Sequence, residues 1–388
     1  MKRMLTRLFL LELLLAGLLT GCACGMVEDI VPEEARLVEV GFVKPDLGIP
    51  AVLTRAEDTE VPAPAPTPLP EGSTIRIVAY YRSSIGVEAS PVPFSTTTPT
   101  VEATYKVMAD GSLALCSVDD TGKPVDGKAE GMVVRGGVYD FYAVSPARKL
   151  AKSVDGTYKI TDIPHKEDVM TSFVRGVTIA ASSRLVTLAT FSRKCALVVF
   201  NVAPSKENVI PFTRLYATGL TISKISSSGA ALIVGEDTGI PCTGGEAGDK
   251  TEVVFASEEF EPVESDTDNL GLNKTKGILL PKNTEPFDVE IEVQRDDKTA
   301  TLKTTIDKNI SFDEGKRYVF TLKVKNNESS LLMTVLDWKE TIFFTDANVG
   351  APDEPYPDPD INEGIGTSFV VASWKEIVWT DGEVGGGQ

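Results

Sequence analysis

Residues 287–306 read FDVEIEVQRDDKTATLKTTI. Phe287, Val289, Ile291 and Val293 take every second position, with Asp288, Glu290 and Glu292 between them. A period of two belongs to a strand, whose successive side chains leave opposite faces. One face here is apolar and the other charged, as on a sheet that covers a core with one side and meets water with the other. Arg295-Asp296-Asp297-Lys298 turns the chain, and Ala300, Leu302, Thr304 and Ile306 run back with the same period. Two alternating runs joined by a short polar turn predict an antiparallel hairpin.

The pattern extends outward in both directions. Tyr318, Phe320, Leu322 and Val324 alternate against Lys323 and Lys325. Val186 to Phe191 and Cys195 to Val202 read as strands, the latter apolar on both faces and so central. In the first half, Val38, Val40 and Phe42 share one face, as do Ile75, Ile77, Ala79 and Tyr81. Val101, Ala103, Tyr105 and Val107 follow, and Asp110-Gly111 turns into Leu113 and Leu115. Tyr139, Phe141 and Ala143 then alternate against Asp140. No stretch keeps a 3.6-residue period over three turns. The expectation is an all-β chain folded as antiparallel β-sandwiches.

Two proline-rich stretches punctuate it: VPAPAPTPLP at 61–70 and the acidic APDEPYPDPD at 351–360. Both favour extended polyproline II over packed structure. Beyond the second lies TSFVVASWKEIVWT, residues 367–380, strand-like and largely apolar on both faces.

The N-terminus reads as an export signal. Lys2, Arg3 and Arg7 form a basic start, and Leu8 to Leu19 is apolar apart from Glu12. The run is shorter than the roughly 20 residues a membrane span needs, which favours a cleaved signal. It ends Leu19-Thr20-Gly21-Cys22, a lipobox-like sequence with Cys22 as the lipid-attachment thiol. The net charge of −18 becomes −20 once residues 1–21, which carry +2, are removed. So acidic a chain has no electrostatic attraction for nucleic acid or anionic lipid.

Catalytic and metal chemistry find little to use. His165 is the only histidine and sits in a polar, turn-like stretch. Cys24, Cys116, Cys195 and Cys242 show no CxxC spacing and are expected as isolated thiols; any disulfide pairing stays open. Asp358-Pro359-Asp360-Ile361-Asn362 mimics the start of a calcium loop, but Glu363 stands where glycine belongs and Phe369 where a bidentate glutamate belongs. Thr243-Gly244-Gly245 lacks the lysine of a phosphate loop and reads as a turn. No catalytic residue, cofactor or metal is expected.

Several blocks, in order, resemble the fimbrillins, the subunits of type V pili in Bacteroidia. They are DFYAVSP at 140–146, VTLATFSRKCAL at 186–197, FDEGKRYVFTLKV at 312–324 and the Trp338 that follows Val335-Leu336-Asp337. The resemblance implies two transthyretin-like β-sandwich domains in tandem. It implies a precursor that reaches the cell outer membrane as a lipoprotein through Cys22. An arginine-specific or trypsin-like protease then removes the lipid and the first strand. Arg55-Ala56 fits that cut, between the first strand and the 61–70 linker; Arg36 and Arg82 are rivals. A strand from another subunit then fills the vacated groove. Residues 367–380 fit such a donor, with Phe369, Val370, Val371, Trp374, Ile377 and Trp379 as its apolar side chains. The competing expectation makes this segment the last strand of its own sandwich.

The expected organisation is a signal peptide at 1–21, a tether at 22–35, an N-terminal sandwich at 36–180, a C-terminal sandwich at 181–348, and a linker with donor strand at 349–388. The expected function is a structural, non-enzymatic pilus subunit supporting adhesion at the surface and then in the fimbrium. Its partners are other pilin subunits, the maturation protease and an adhesion target. The alternatives are a lipidated anchor or tip subunit, and a surface glycan-binding lipoprotein. The last needs exposed aromatic platforms, and the only tryptophans are Trp338, Trp374 and Trp379.

Overall fold

The computed structural model describes residues 35–47, 67–163, 167–204, 214–225, 230–235, 251–255, 265–266, 269–270, 273–274, 278–280, 287–306, 313–337 and 368–381. Among them every regular element is a strand.

In the N-terminal half, six antiparallel strands form one sheet. Their order is Ser192–Arg193, Met170–Ile179, Gly137–Ser145, Thr74–Ser83, Val101–Val107 and Leu113–Leu115. Both faces of this sheet are covered. Ile75, Ile77, Ala79, Tyr105, Tyr139 and Phe141 face one core, together with Val38, Val40, Leu47 and Phe191. Val78, Tyr80, Tyr142 and Val144 face another, closed by Phe94, Tyr158, Ile160, Leu232 and Val234. The alternation expected in residues 138–145 is present, but Asp140 points into a covered face and is fully buried rather than solvated.

The layer over the second face includes a three-stranded sheet of Ala151–Lys152, Tyr158–Ile163 and Ala230–Ile233. Its last strand comes from the far half of the sequence. Leu185–Val186 and Ser192–Arg193, beyond the 180/181 division expected from sequence, also pair with strands of the N-terminal half.

In the C-terminal half, two sheets face each other. One runs Asn273–Lys274, Ala196–Pro204, Lys316–Lys325, Glu328–Asp337 and Ser368–Trp374, with Ile278–Leu280 also against Ala196–Pro204. The other runs Thr251–Phe255, Leu215–Ile225, Phe287–Arg295, Lys298–Ile306 and Thr380–Asp381. The expected 287–306 hairpin is there, in register Phe287↔Ile306 to Arg295↔Lys298. Its tight turn holds Asp296 at φ 53°, a left-handed conformation that aspartate tolerates. Phe287, Val289, Ile291 and Val293 meet Phe200, Phe320 and Leu322 across the core. The Phe200 and Phe320 rings stack at 4.8 Å. Ala196–Pro204 is central, as expected, but pairs parallel with Lys316–Lys325. A parallel pair needs a long crossover, and more than a hundred residues separate these strands.

Candidate functional site

Residues 37–47 run through the middle of the layer that covers the first face of the N-terminal sheet. Leu37–Glu39 pairs antiparallel with Val133–Arg135 on one side. Gly41–Phe42 pairs parallel with Leu185–Val186 on the other. Asp46–Leu47 meets Thr67–Pro68 at the far end. Hydrogen bonds continue between the ladders. Val40 N donates to Met132 O at 2.9 Å, Gly41 N to Arg184 O at 2.9 Å and Val43 N to Val186 O at 2.9 Å. In return, Pro45 O accepts from Leu69 N and Asp46 O from Phe191 N.

The inward side chains are those the alternation singled out. Val38 and Val40 are buried in the core, and Leu47 joins them farther along. Phe42 is half-buried, its ring edge-on to Tyr105 at 5.5 Å and to Phe141 at 5.9 Å. Burial pushes the Tyr105 phenol up to about 12, although a hydrogen bond with the Met132 backbone pulls it down. Each fully buried Val or Leu of the strand contributes about 1.5–3 kcal/mol. Taking this strand out would leave a groove with an apolar floor and unpaired N–H and C=O groups on both walls. The flanking strand Val133–Arg135 was not read from the sequence; Val133 and Val134 are its only apolar residues, too short a run to signal.

Arg55, Ala56 and Cys22 lie outside the described residues, as do Trp338, His165 and the 243–245 and 358–363 stretches. Both rival arginines are visible. Arg36 stands just before the strand, and its carbonyl accepts from Gly136 N at 3.2 Å. A cut after it leaves residues 37–47 in place. Arg82 sits in a paired strand with its guanidinium donating to Ala89 O and 3.5 Å from Asp140. It is held away from a protease.

The C-terminal segment packs on its own half. Ser368–Trp374 pairs antiparallel with Glu328–Asp337 at a sheet edge, in register Ser329↔Trp374 to Thr334↔Ser368 with one irregularity. The chain then crosses the end of the sandwich, and Thr380–Asp381 pairs with Lys298–Ile306 in the opposite sheet. Ile377 is buried in the core between them, and Ala372, Trp374 and Trp379 pack against it. Trp374 Nε1 donates to Lys303 O at 3.1 Å, and the Arg295 guanidinium lies over the Trp379 ring at 4.3 Å. Val370 and Val378 are exposed. The segment therefore divides in the middle: Ala372 and Trp374 pack before the exposed Lys375 and Glu376, and Ile377 and Trp379 pack after them.

Buried polar groups elsewhere serve packing. Asp168 and Arg193 pair at 2.9 Å in the interior, with the Cys195 thiol beside them. Burial and the Asp168 charge push that thiol well up, so it stays protonated and unreactive. Cys116 and Cys195 are free thiols. No cluster of three metal-ligating side chains occurs among the described residues.

The N-terminal sandwich is thus completed by its own first strand, and the C-terminal segment lies along the edges of the other sandwich. In comparison with known proteins, a family model described as fimbrillin-like matches residues 38–342. The chain belongs to the fimbrillin-like family. This fimbrillin-like protein is accordingly a structural pilus subunit of the cell surface, not an enzyme, and its partners include other pilin subunits. No curated protein matches it. Among solved structures it is similar to a candidate cell adhesion protein from Bacteroides fragilis, at 20% identity over 78% of this chain and 97% of that one, with a TM-score of 0.44. A second such protein, from Bacteroides uniformis, shares 17% identity over 78% and 99%, with a TM-score of 0.43. The C-terminally truncated tip fimbrial protein Mfa3 of Porphyromonas gingivalis shares 9% identity over 68% and 94%, with a TM-score of 0.34.

Proposed function

We propose that this fimbrillin-like protein is exported as a lipoprotein through Cys22, matured by cleavage between Arg55 and Ala56, and polymerised by donor-strand exchange. The observation that carries the reading is the position of residues 37–47, held on both sides in the middle of a sheet layer with Val38, Val40 and Leu47 in the core. A cut anywhere between residue 47 and the Thr67–Pro68 strand frees this strand from the rest of the chain without breaking another described strand. Its departure opens a groove that only a strand can refill, because the walls offer backbone groups and the floor takes alternate side chains. Residues 367–380 are the donor in this scheme. They supply the edge strand Ser368–Trp374 of one sheet and begin the edge strand Thr380–Asp381 of the other, and both sheets of the C-terminal half keep their other strands without them.

The test is the N-terminus and assembly state of the surface protein. Arginine-specific proteolysis of the folded precursor should yield a chain beginning at Ala56, and that chain should form multimers. Deletion of residues 361–388 should stop multimer formation and leave cleavage intact. A surface form that still begins at Cys22 would instead make this subunit a pilus anchor that keeps its lipid and first strand.

A further inference from the structure

The groove and the C-terminal segment each have a pattern of side-chain sizes, and one alignment matches them. The outgoing strand presents Val38 and Val40 as small buried residues and Phe42 as an aromatic against Tyr105 and Phe141. Between the last two stands Gly41, where an added Cβ would lie 3.3 Å from Leu185 Cδ1. The required sequence is therefore small, any, small, tight, aromatic. Resting on the donor-strand reading above, we propose that Val370, Ala372 and Trp374 of a second copy of this chain take the places of Val38, Val40 and Phe42.

Displaced alignments fail on size or charge. A slip of two residues one way puts Trp374 into the Val40 site and Glu376 against Tyr105 and Phe141. Two residues the other way sets Val371, β-branched, at the tight Gly41 site and Ala372 where an aromatic is needed. A slip of one residue puts Phe369 into the Val38 site or Lys375 into the Phe42 site. A buried unpaired charge costs far more than an unfilled pocket.

Direction is set by the walls. The outgoing strand is antiparallel to Val133–Arg135 and parallel to Leu185–Val186. A donor running the same way repeats those ladders without rearranging either wall. It also puts Ile377 and Trp379 at the places of the buried Pro45 and Leu47. A reversed donor with Phe369 at the Phe42 site would bring Gly366 and Gly364 there, leaving the end of the groove empty. At the chosen register, Ser373 falls at the Gly41 site, where the flexible end of Leu185 can yield to a small side chain. Trp374 meets Tyr105 and Phe141 in the same edge-to-face manner as Phe42.

Disulfide trapping reads the register directly. Because Val40 N bonds to Met132 O, the pair Glu39↔Val133 is a non-hydrogen-bonded one, where facing side chains stand closest. Residue 371 replaces Glu39 in the proposed register. The full-length precursor carrying Val371→Cys and Val133→Cys, cleaved and oxidised, should give a covalent ladder in denaturing gels without reductant. Each single variant should give none beyond the wild-type background of Cys116, Cys195 and Cys242. The companion pairs Phe369→Cys with Val133→Cys and Ser373→Cys with Val133→Cys report slips of two residues, and Ala372→Cys with Val133→Cys reports the reversed strand or the one-residue slip that brings Lys375 to the Phe42 site. Multimers that form but link only through a companion pair, or through none, overturn the register and leave donor-strand exchange standing. Wild-type cleaved protein that forms no multimers overturns both.

Discussion

Asp140 accepts hydrogen bonds from Val92 N and Gly176 N, both at 2.7 Å, and has Arg82 at 3.5 Å and Arg175 at 3.3 Å. Arg175 in turn lies 4.1 Å over the Phe94 ring and donates to Val92 O. One carboxylate thus ties the 84–95 loop to the central strands. Asp140→Ala leaves two backbone donors unpaired and takes the carboxylate from beside two guanidinium groups, so it should cost about 3 kcal/mol, the lower end for breaking a buried pair because both arginines keep other partners and some water contact. Urea unfolding should show it, and an unchanged midpoint would refute the role. In sequence this residue reads as the polar partner of Tyr139 and Phe141. Alternation tells which side chains share a face, not whether a second layer covers the opposite one, and here the cover comes from distant loops and strands. At Cys22 the reverse holds: the motif is legible and the residue lies outside the described chain. Cys22→Ala should abolish incorporation of a fatty-acid probe, and a labelled variant would refute lipidation.

Hairpins are where sequence and fold agree most closely. Phe287–Arg295 and Lys298–Ile306 keep one face in water, so their pattern is unmixed and their register follows from the two-residue turn. The first strand was legible for the same reason, through Val38, Val40 and Phe42. Its neighbours were not, since pairing partners drawn from residues 133–135 and 185–186 leave no mark on the segment itself. The C-terminal segment lies between these cases. Its apolar character on both faces was plain, but the structure shows it using them in turn, one before Lys375 and one after. Of its described side chains only Ile377 is fully buried, which corresponds to about 1.5–3 kcal/mol, with Trp374 and Trp379 adding partial burial. Removing residues 361–388 should therefore lower the thermal midpoint while leaving a cooperative transition. A truncated chain with no transition would make this segment a core strand and not a donor.

Across the whole molecule the two halves share a core element. Ala230–Ile233 pairs with Tyr158–Ile163, and Leu232 and Val234 close the second core of the N-terminal half. Lys194 and Glu314 bridge the same junction at 3.3 Å, and Gly315 N donates to Cys195 O. Leu232→Ala should cost about 2–5 kcal/mol and should separate the melting of the two halves in calorimetry, the N-terminal one going first. The junction was illegible in sequence because its pairing spans some seventy residues. The core on the other face of the same sheet offers a reporter of assembly. Tyr105 has its phenol pushed up to about 12, chiefly by burial, and burial raises Tyr80 and Tyr139 likewise. A folded state that raises the pKa of an acid favours its protonated form. The unfolded chain ionises its tyrosines near 10, so the tyrosine contribution to stability should be flat up to about pH 10 and fall as pH rises beyond it. Residues 37–47 supply part of the cover, since Phe42 touches Tyr105 directly. Cleavage and loss of that strand should bring the Tyr105 titration down toward 10, and a donor strand should raise it again. Tyrosinate absorbance of the precursor, the cleaved monomer and the polymer, each compared with its Tyr105→Phe variant, isolates this one residue. A Tyr105 titration that is the same in all three states would mean the groove does not open on maturation.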